Sequence, residues 1–222
     1  MLSVARRQPS AFLLAAQLVG VLVYPAMEGS EVGSALFSLF GIAILGLVVL
    51  SVRSSPGLTW VAIVLGTPAT VLLLIQAISG DDALLPYSSA FEAALYFYAA
   101  GALIAYMLED HVVTRDELFA IGATFTLVAW AFAYSFTVYQ AIEPNSFTAA
   151  VDANADRTWI ELLFLSFTTL SSTGLSDVLP IKGFARSLVM IEQLAGVAYI
   201  AVVVSRLVGL LVVTRNDPKQ QR

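Results

Sequence analysis

Six long apolar stretches, 11–27, 33–52, 57–79, 86–107, 117–140 and 184–213, limit what this chain can fold into before any motif is considered. A helix needs about 20 apolar residues to cross the ~30 Å hydrocarbon layer, and most of the six reach that length. Of the 222 residues, 59% are hydrophobic and 12% charged. A soluble domain carries about 25% charged residues and could not hide this much apolar surface. Lipid is therefore the solvent, and the expected fold is an all-α membrane protein with six transmembrane helices. The first stretch is the weakest, with Gln17 and Pro25 inside it. Preceded by Arg6 and Arg7, it also fits a signal-peptide core, although no small-x-small cleavage site follows convincingly. With no cysteine, disulfides and thiolate metal sites are excluded, and the single His111 disfavours a histidine-based metal centre.

Lys and Arg set the expected orientation. With the N-terminus inside, Arg6, Arg7, Arg53, Arg115, Arg206, Arg215, Lys219 and Arg222 are cytoplasmic, and only Arg157, Lys182 and Arg186 lie outside. Outer segments instead carry Glu28, Glu31, Asp81, Asp82, Glu143, Asp152, Asp156 and Asp177. Acids there either satisfy topology or concentrate cations at a pore mouth; Asp177 is the one placed to do the second.

The connection from about 141 to 183 is too long for a turn and holds an apolar piece too short to cross. Thr158-Trp-Ile-Glu161 has the spacing of a capping box, in which the Thr hydroxyl and the Glu carboxylate satisfy the first free amides of a helix. The piece continues through Leu162, Leu163, Phe164 and Phe167, then dissolves into Thr168-Thr-Leu-Ser-Ser-Thr173. The expected form is a half-spanning pore helix followed by a re-entrant loop, because irregular backbone survives at membrane depth only when buried in protein or lining water. The C-terminal end of such a helix dipole favours a cation.

Phe164 to Pro180, with its Phe-Thr-Thr-Leu-Ser-Ser run and Asp177-Val-Leu-Pro180, resembles the pore loop of the potassium-channel superfamily, which carries Thr-Thr-x-Gly-Tyr-Gly-Asp at this place. The resemblance covers about 117 to 213, and Gly196 and Ser205-Arg206-Leu-Val-Gly209 in the last stretch fit its inner helix. It implies a homotetramer whose filter is Ser172, Thr173, Gly174, Leu175, Ser176 and Asp177. Ser172 stands for the family's threonine, Thr173 for its valine and Gly174 for its first glycine. Leu175 replaces the tyrosine and Ser176 the second glycine, while Asp177 keeps the aspartate. Ser176 held at positive φ costs roughly 1–2 kcal/mol per subunit, and Leu175 cannot make the tyrosine's bracing hydrogen bond. Relatives gated by cyclic nucleotides also lack the second glycine and discriminate poorly among monovalent cations. The resemblance thus implies a weakly selective cation pore, with a potassium-selective pore around a rearranged outer filter as the alternative. Permeant K⁺ or Na⁺ is the only cofactor implied.

On the last stretch, Val197, Ile200, Val204 and Val208 share one helical face. By the family pattern they line a vestibule and form a hydrophobic gate; otherwise the stripe faces lipid or the fifth stretch. Gly196 falls at the family's hinge, though a lone glycine in a membrane helix also serves close packing. Glu92, Glu161 and Glu192 lie in hydrophobic segments and are functional candidates on cost alone. Glu161 is explained by capping, Glu92 by reaching the interface, and Glu192 by hydrogen-bonding pore-helix hydroxyls; a protonatable Glu192 would also make currents respond to pH. The division expected is a four-helix bundle over 1–113, a pore domain over 114–215 and a short cytoplasmic tail over 216–222. No stretch in the first four repeats Arg or Lys every third residue, so the bundle is not a voltage sensor. That tail is too short for a ligand-binding domain.

An enzyme is disfavoured. Gly174-Leu-Ser176 resembles rhomboid-type intramembrane serine proteases, but Ser176 is followed by Asp177, and His111 falls on the opposite side. Potassium-uptake subunits string four such loops in one chain, whereas one loop here requires four chains. A non-conducting accessory protein with a decayed loop is the remaining alternative. The expected location is a bacterial inner membrane, with no nucleic-acid partner and both termini cytoplasmic.

Overall fold

The computed structural model describes residues 8–27, 31–53, 55–80, 82–109 and 114–215. Expectations on Arg6, Arg7, Glu28, Asp81, His111 and the tail 216–222 lie outside the described residues. The helices are α1 (Pro9–Met27), α2 (Glu31–Arg53), α3 (Thr59–Ser79), α4 (Leu85–Leu108), α5 (Arg115–Ile142), α6 (Trp159–Leu170) and α7 (Gly183–Arg215), with a 3₁₀ turn at Asp82–Leu84. Two short strands, β1 (Phe147–Thr148) and β2 (Leu179–Pro180), pair antiparallel with Phe147 opposite Pro180.

Among the described residues, five helices are long and apolar enough to cross a membrane: α1, α3, α4, α5 and α7. This corrects the expectation of six. The stretch 33–52 falls in α2, of which the described residues give a shorter apolar helix, Ser38–Arg53. The re-entrant filter element is corrected too. No strand runs through residues 171–177, because the chain there folds back on the end of α6, and the only strands among the described residues are the two-residue pair.

α5 is the central post. Its small residues Ala123, Ala129, Ala131 and Ala133 are fully buried and let neighbouring helices approach. Trp130 packs edge-on against Tyr96 of α4 at 6.0 Å and Trp159 of α6 at 5.2 Å. The larger core joins Leu13 of α1, Ile44 of α2, Leu73 of α3, Leu95 and Leu103 of α4, and Leu163 and Leu170 of α6. A second core of Phe136, Phe147, Leu162, Leu165, Val178 and Val189 ties α5 and α6 to α7 and to the loops at one end. At the other end Asp116 anchors α1: its Oδ1 accepts from the Ser10 amide at 3.1 Å and its Oδ2 from the Ser10 hydroxyl at 2.9 Å. A carboxylate at a helix N-terminus satisfies free amides and complements the dipole.

A capped half-length helix and its hydroxyl-rich turn

Both ends of α6 are set by local chemistry. At the start, Glu161 Oε2 accepts from the Thr158 amide at 2.7 Å and Thr158 Oγ1 from the Glu161 amide at 3.5 Å, a reciprocal capping box. Just before it, Arg157 is buried to 5% exposure. Its guanidinium donates to the carbonyls of Val151, Asp152 and Ala155 and to Glu161 Oε1 at 3.2 Å. The planar fork meets four acceptors at once, one more than the three N–H groups of an ammonium could. Gln140 at the end of α5 closes the joint, accepting from the Arg157 amide at 2.9 Å and donating to its carbonyl at 3.0 Å. The loop 143–158 is thereby fastened to α5, while β1–β2 fastens it to the segment after α6. These joints involve residues far apart in sequence, and nothing in their spacing announced them.

At its other end α6 stops at Leu170, and the Thr168 carbonyl collects the amides of Thr173 and Gly174, both at 3.0 Å, and the Thr173 hydroxyl at 3.2 Å. The fold-back requires left-handed backbone at Ser172 (φ 59°) and Gly174 (φ 65°); Ser176 is not at positive φ. Strain therefore sits on Ser172, where a serine replaces the permissive glycine. Thr173 and Ser171 hydroxyls lie 2.9 Å apart, and Ser176 Oγ accepts from the Val178 amide at 3.1 Å. Ser172, Thr173, Gly174, Leu175 and Asp177 are exposed, Leu175 to 77%. A cluster of hydroxyl and carbonyl oxygens beyond the negative end of a helix can hold a cation.

Glu192 of α7 is fully buried and faces α6. Its Oε1 meets the Ser166 hydroxyl, which is also 2.7 Å from the Ala129 carbonyl oxygen of α5. Ser166 thus links three helices. One turn on, Gly196 lies against the end of α6: a Cβ there would collide with the Leu170 carbonyl, in contact with backbone rather than with a yielding side chain. Further along, the Tyr199 hydroxyl donates to the Ile121 carbonyl at 2.5 Å and Arg206 pairs with Glu117 at 3.1 Å. Val197, Ile200, Val204 and Val208 are 57%, 43%, 52% and 53% exposed, on a face of α7 turned away from these contacts. Glu92, expected to reach the interface, is instead 2% exposed inside the helix bundle.

Among the described residues, no group of three or more His, Cys, Asp or Glu could hold a metal ion. A family model described as an ion channel matches residues 93–213, more than half of the chain. No curated protein and no solved structure matches it.

Proposed function

The chain belongs to the ion channel family, and from that premise we propose that it is a passive channel for monovalent cations, K⁺ or Na⁺, with weak or altered selectivity between them. The carrying observation is the exposed turn 171–177 at the C-terminal end of a capped half-length helix. Its hydroxyls and carbonyls replace part of an ion's hydration shell, and the helix dipole adds negative potential. Asp177 at its edge raises the local cation concentration.

One chain supplies one such turn, which cannot surround an ion, so the proposed assembly is a homotetramer around a shared axis. Support comes from α7. Its stripe Ala185, Val189, Glu192 and Gly196 is buried, while Met190, Ile191, Leu194 and Val197 are all more than half exposed. That uncovered surface serves both lipid and neighbouring subunits. The Val197, Ile200, Val204 and Val208 face becomes the hydrophobic gate, residues 114–215 the conducting part, and 1–113 a peripheral bundle. The Lys and Arg bias supports an orientation with Arg206 toward the cytoplasm, and the proposed location is a bacterial inner membrane.

Weak selectivity is supported by the turn, in which the amides of Thr173 and Gly174 both close back on the Thr168 carbonyl, so that the backbone folds up instead of extending past successive carbonyl sites. Bi-ionic recordings with K⁺ on one side and Na⁺ on the other test it. The expected reversal potential is close to zero. A strongly K⁺-directed reversal would replace this reading by a potassium-selective pore, and absence of current by an accessory, non-conducting protein.

A further inference from the structure

Helices α1 to α5 and the start of α6 line a cavity of about 450 Å³, away from the turn 171–177 and from the Val197, Ile200, Val204 and Val208 face. Small-molecule sites occupy roughly 300–1,000 Å³ and combine apolar walls with few convergent polar groups. Its rim includes exposed Gly80, Leu85 and Asp156; its depth reaches the buried Leu73, Thr137 and Glu92. The rings of Tyr24, Tyr134 and Trp159 form one side, with Trp159 5.1 Å from Tyr24 and 5.6 Å from Tyr134 between centroids.

Among the buried side-chain oxygens of the wall, Glu92 Oε1 stands apart. Gln76 Nε2 donates to the Ser88 hydroxyl at 2.9 Å, Gln140 Nε2 to the Arg157 carbonyl, and Thr137 Oγ1 to the Ala133 carbonyl at 3.1 Å. The Arg157 charge is taken up by Glu161 and three backbone carbonyls. Each of these side chains already has a protein partner. Glu92 bonds the Tyr134 hydroxyl, yet its Oε1 has no hydrogen-bond partner. An unpaired carboxylate oxygen within a membrane helix is costly unless something positive or proton-donating meets it. Aromatic faces beside a carboxylate, with a second carboxylate at the rim, favour a cation that is itself partly apolar.

We propose that this cavity binds a small organic ammonium ion, with Glu92 as counter-charge and Tyr24, Tyr134 and Trp159 as its cation–π wall. A bare metal ion would want several oxygen ligands, and a phosphate or carboxylate would meet Glu92 head-on. Because Thr158 and Trp159 belong to the wall, the occupant touches the start of the helix whose far end carries the turn 171–177. Binding is read without passing current, so this inference stands or falls separately from conduction.

The test uses the full-length protein in vesicles of phosphatidylglycerol, titrated with choline and with its neutral isostere 3,3-dimethylbutanol. Tryptophan emission and titration calorimetry are the readouts. Choline is expected to saturate at millimolar concentration or below and to bind at least about tenfold more tightly than the alcohol. Glu92→Gln is expected to weaken choline by at least about tenfold while elution volume and helicity stay unchanged. A parallel preparation containing phosphatidylcholine and no free choline distinguishes the source: an emission shift there assigns the ammonium to a lipid headgroup. Equal affinity for choline and alcohol, unchanged binding in Glu92→Gln, or no saturable signal would each overturn the proposal. Should Glu92→Gln not fold, the comparison of the two ligands on the unaltered protein still decides.

Discussion

Gly196→Ala separates a hinge from a packing contact. A hinge glycine is there for backbone freedom; replacing it by alanine favours the helix by about 1 kcal/mol and stiffens it. The structure gives Gly196 a packing contact that such a substitution would disturb. A methyl group there would run into the carbonyl of Leu170, with the carbonyl carbon and Cα of the same residue close behind. All three atoms are backbone at the end of α6, held by the hydrogen bonds onto Thr168, so relief requires α6 and α7 to part. Overpacking costs about 1–3 kcal/mol, and a backbone obstacle argues for the upper end. Less the propensity gain, the net loss is about 2 kcal/mol. For a chain of this length that lowers Tm by about 4–8 °C. Gly101→Ala is the control, because nothing lies within 4 Å of a Cβ there; it should be neutral or stabilising by up to about 1 kcal/mol. Thermal unfolding in detergent, followed by circular dichroism, measures both. If Gly196→Ala melts at or above the parent temperature, the close approach of the two helices is wrong and the hinge reading stands.

Thr158→Ala removes half of the capping box and should cost about 1 kcal/mol, with Thr158→Ser recovering most of it, by the same unfolding assay. Arg206→Ala strands Glu117, whose side chain is 5% exposed; the expected loss is about 3 kcal/mol. A cycle with Glu117→Gln should return a coupling above about 1 kcal/mol. Arg157→Lys keeps the charge but cannot serve three carbonyls and Glu161 together. The loop 143–158 should then be cut by protease several-fold faster, while Lys182→Ala, removing an exposed pair with Glu143, should change nothing measurable.

Local signals were legible in the sequence and distant ones were not. Thr158 and Glu161 are three residues apart, and the box they form depends on nothing else, so the start of α6 could be placed from spacing alone. The apolar lengths of α1, α3, α4, α5 and α7 were equally plain, since length against bilayer thickness is a local count. Residues 171–177 were expected as a re-entrant filter with strain at Ser176. The fold-back instead depends on which carbonyl accepts the Thr173 and Gly174 amides, and this puts the left-handed backbone at Ser172. The Arg157–Gln140 joint, the Ser10–Asp116 anchor and the depth of Glu92 all come from packing between helices. Glu92 shows the limit best: its position along α4 suggested an interface, and only the neighbouring helices bury it.

The most direct test of the central claim is single-channel recording of the purified protein in planar bilayers under a KCl gradient, with Asp177→Asn alongside. The account predicts unitary currents that reverse near the potassium equilibrium potential, and a smaller inward conductance in Asp177→Asn at low salt, where an acidic mouth matters most. Currents that reverse near the chloride potential, or a silent bilayer with folded protein present, would contradict it.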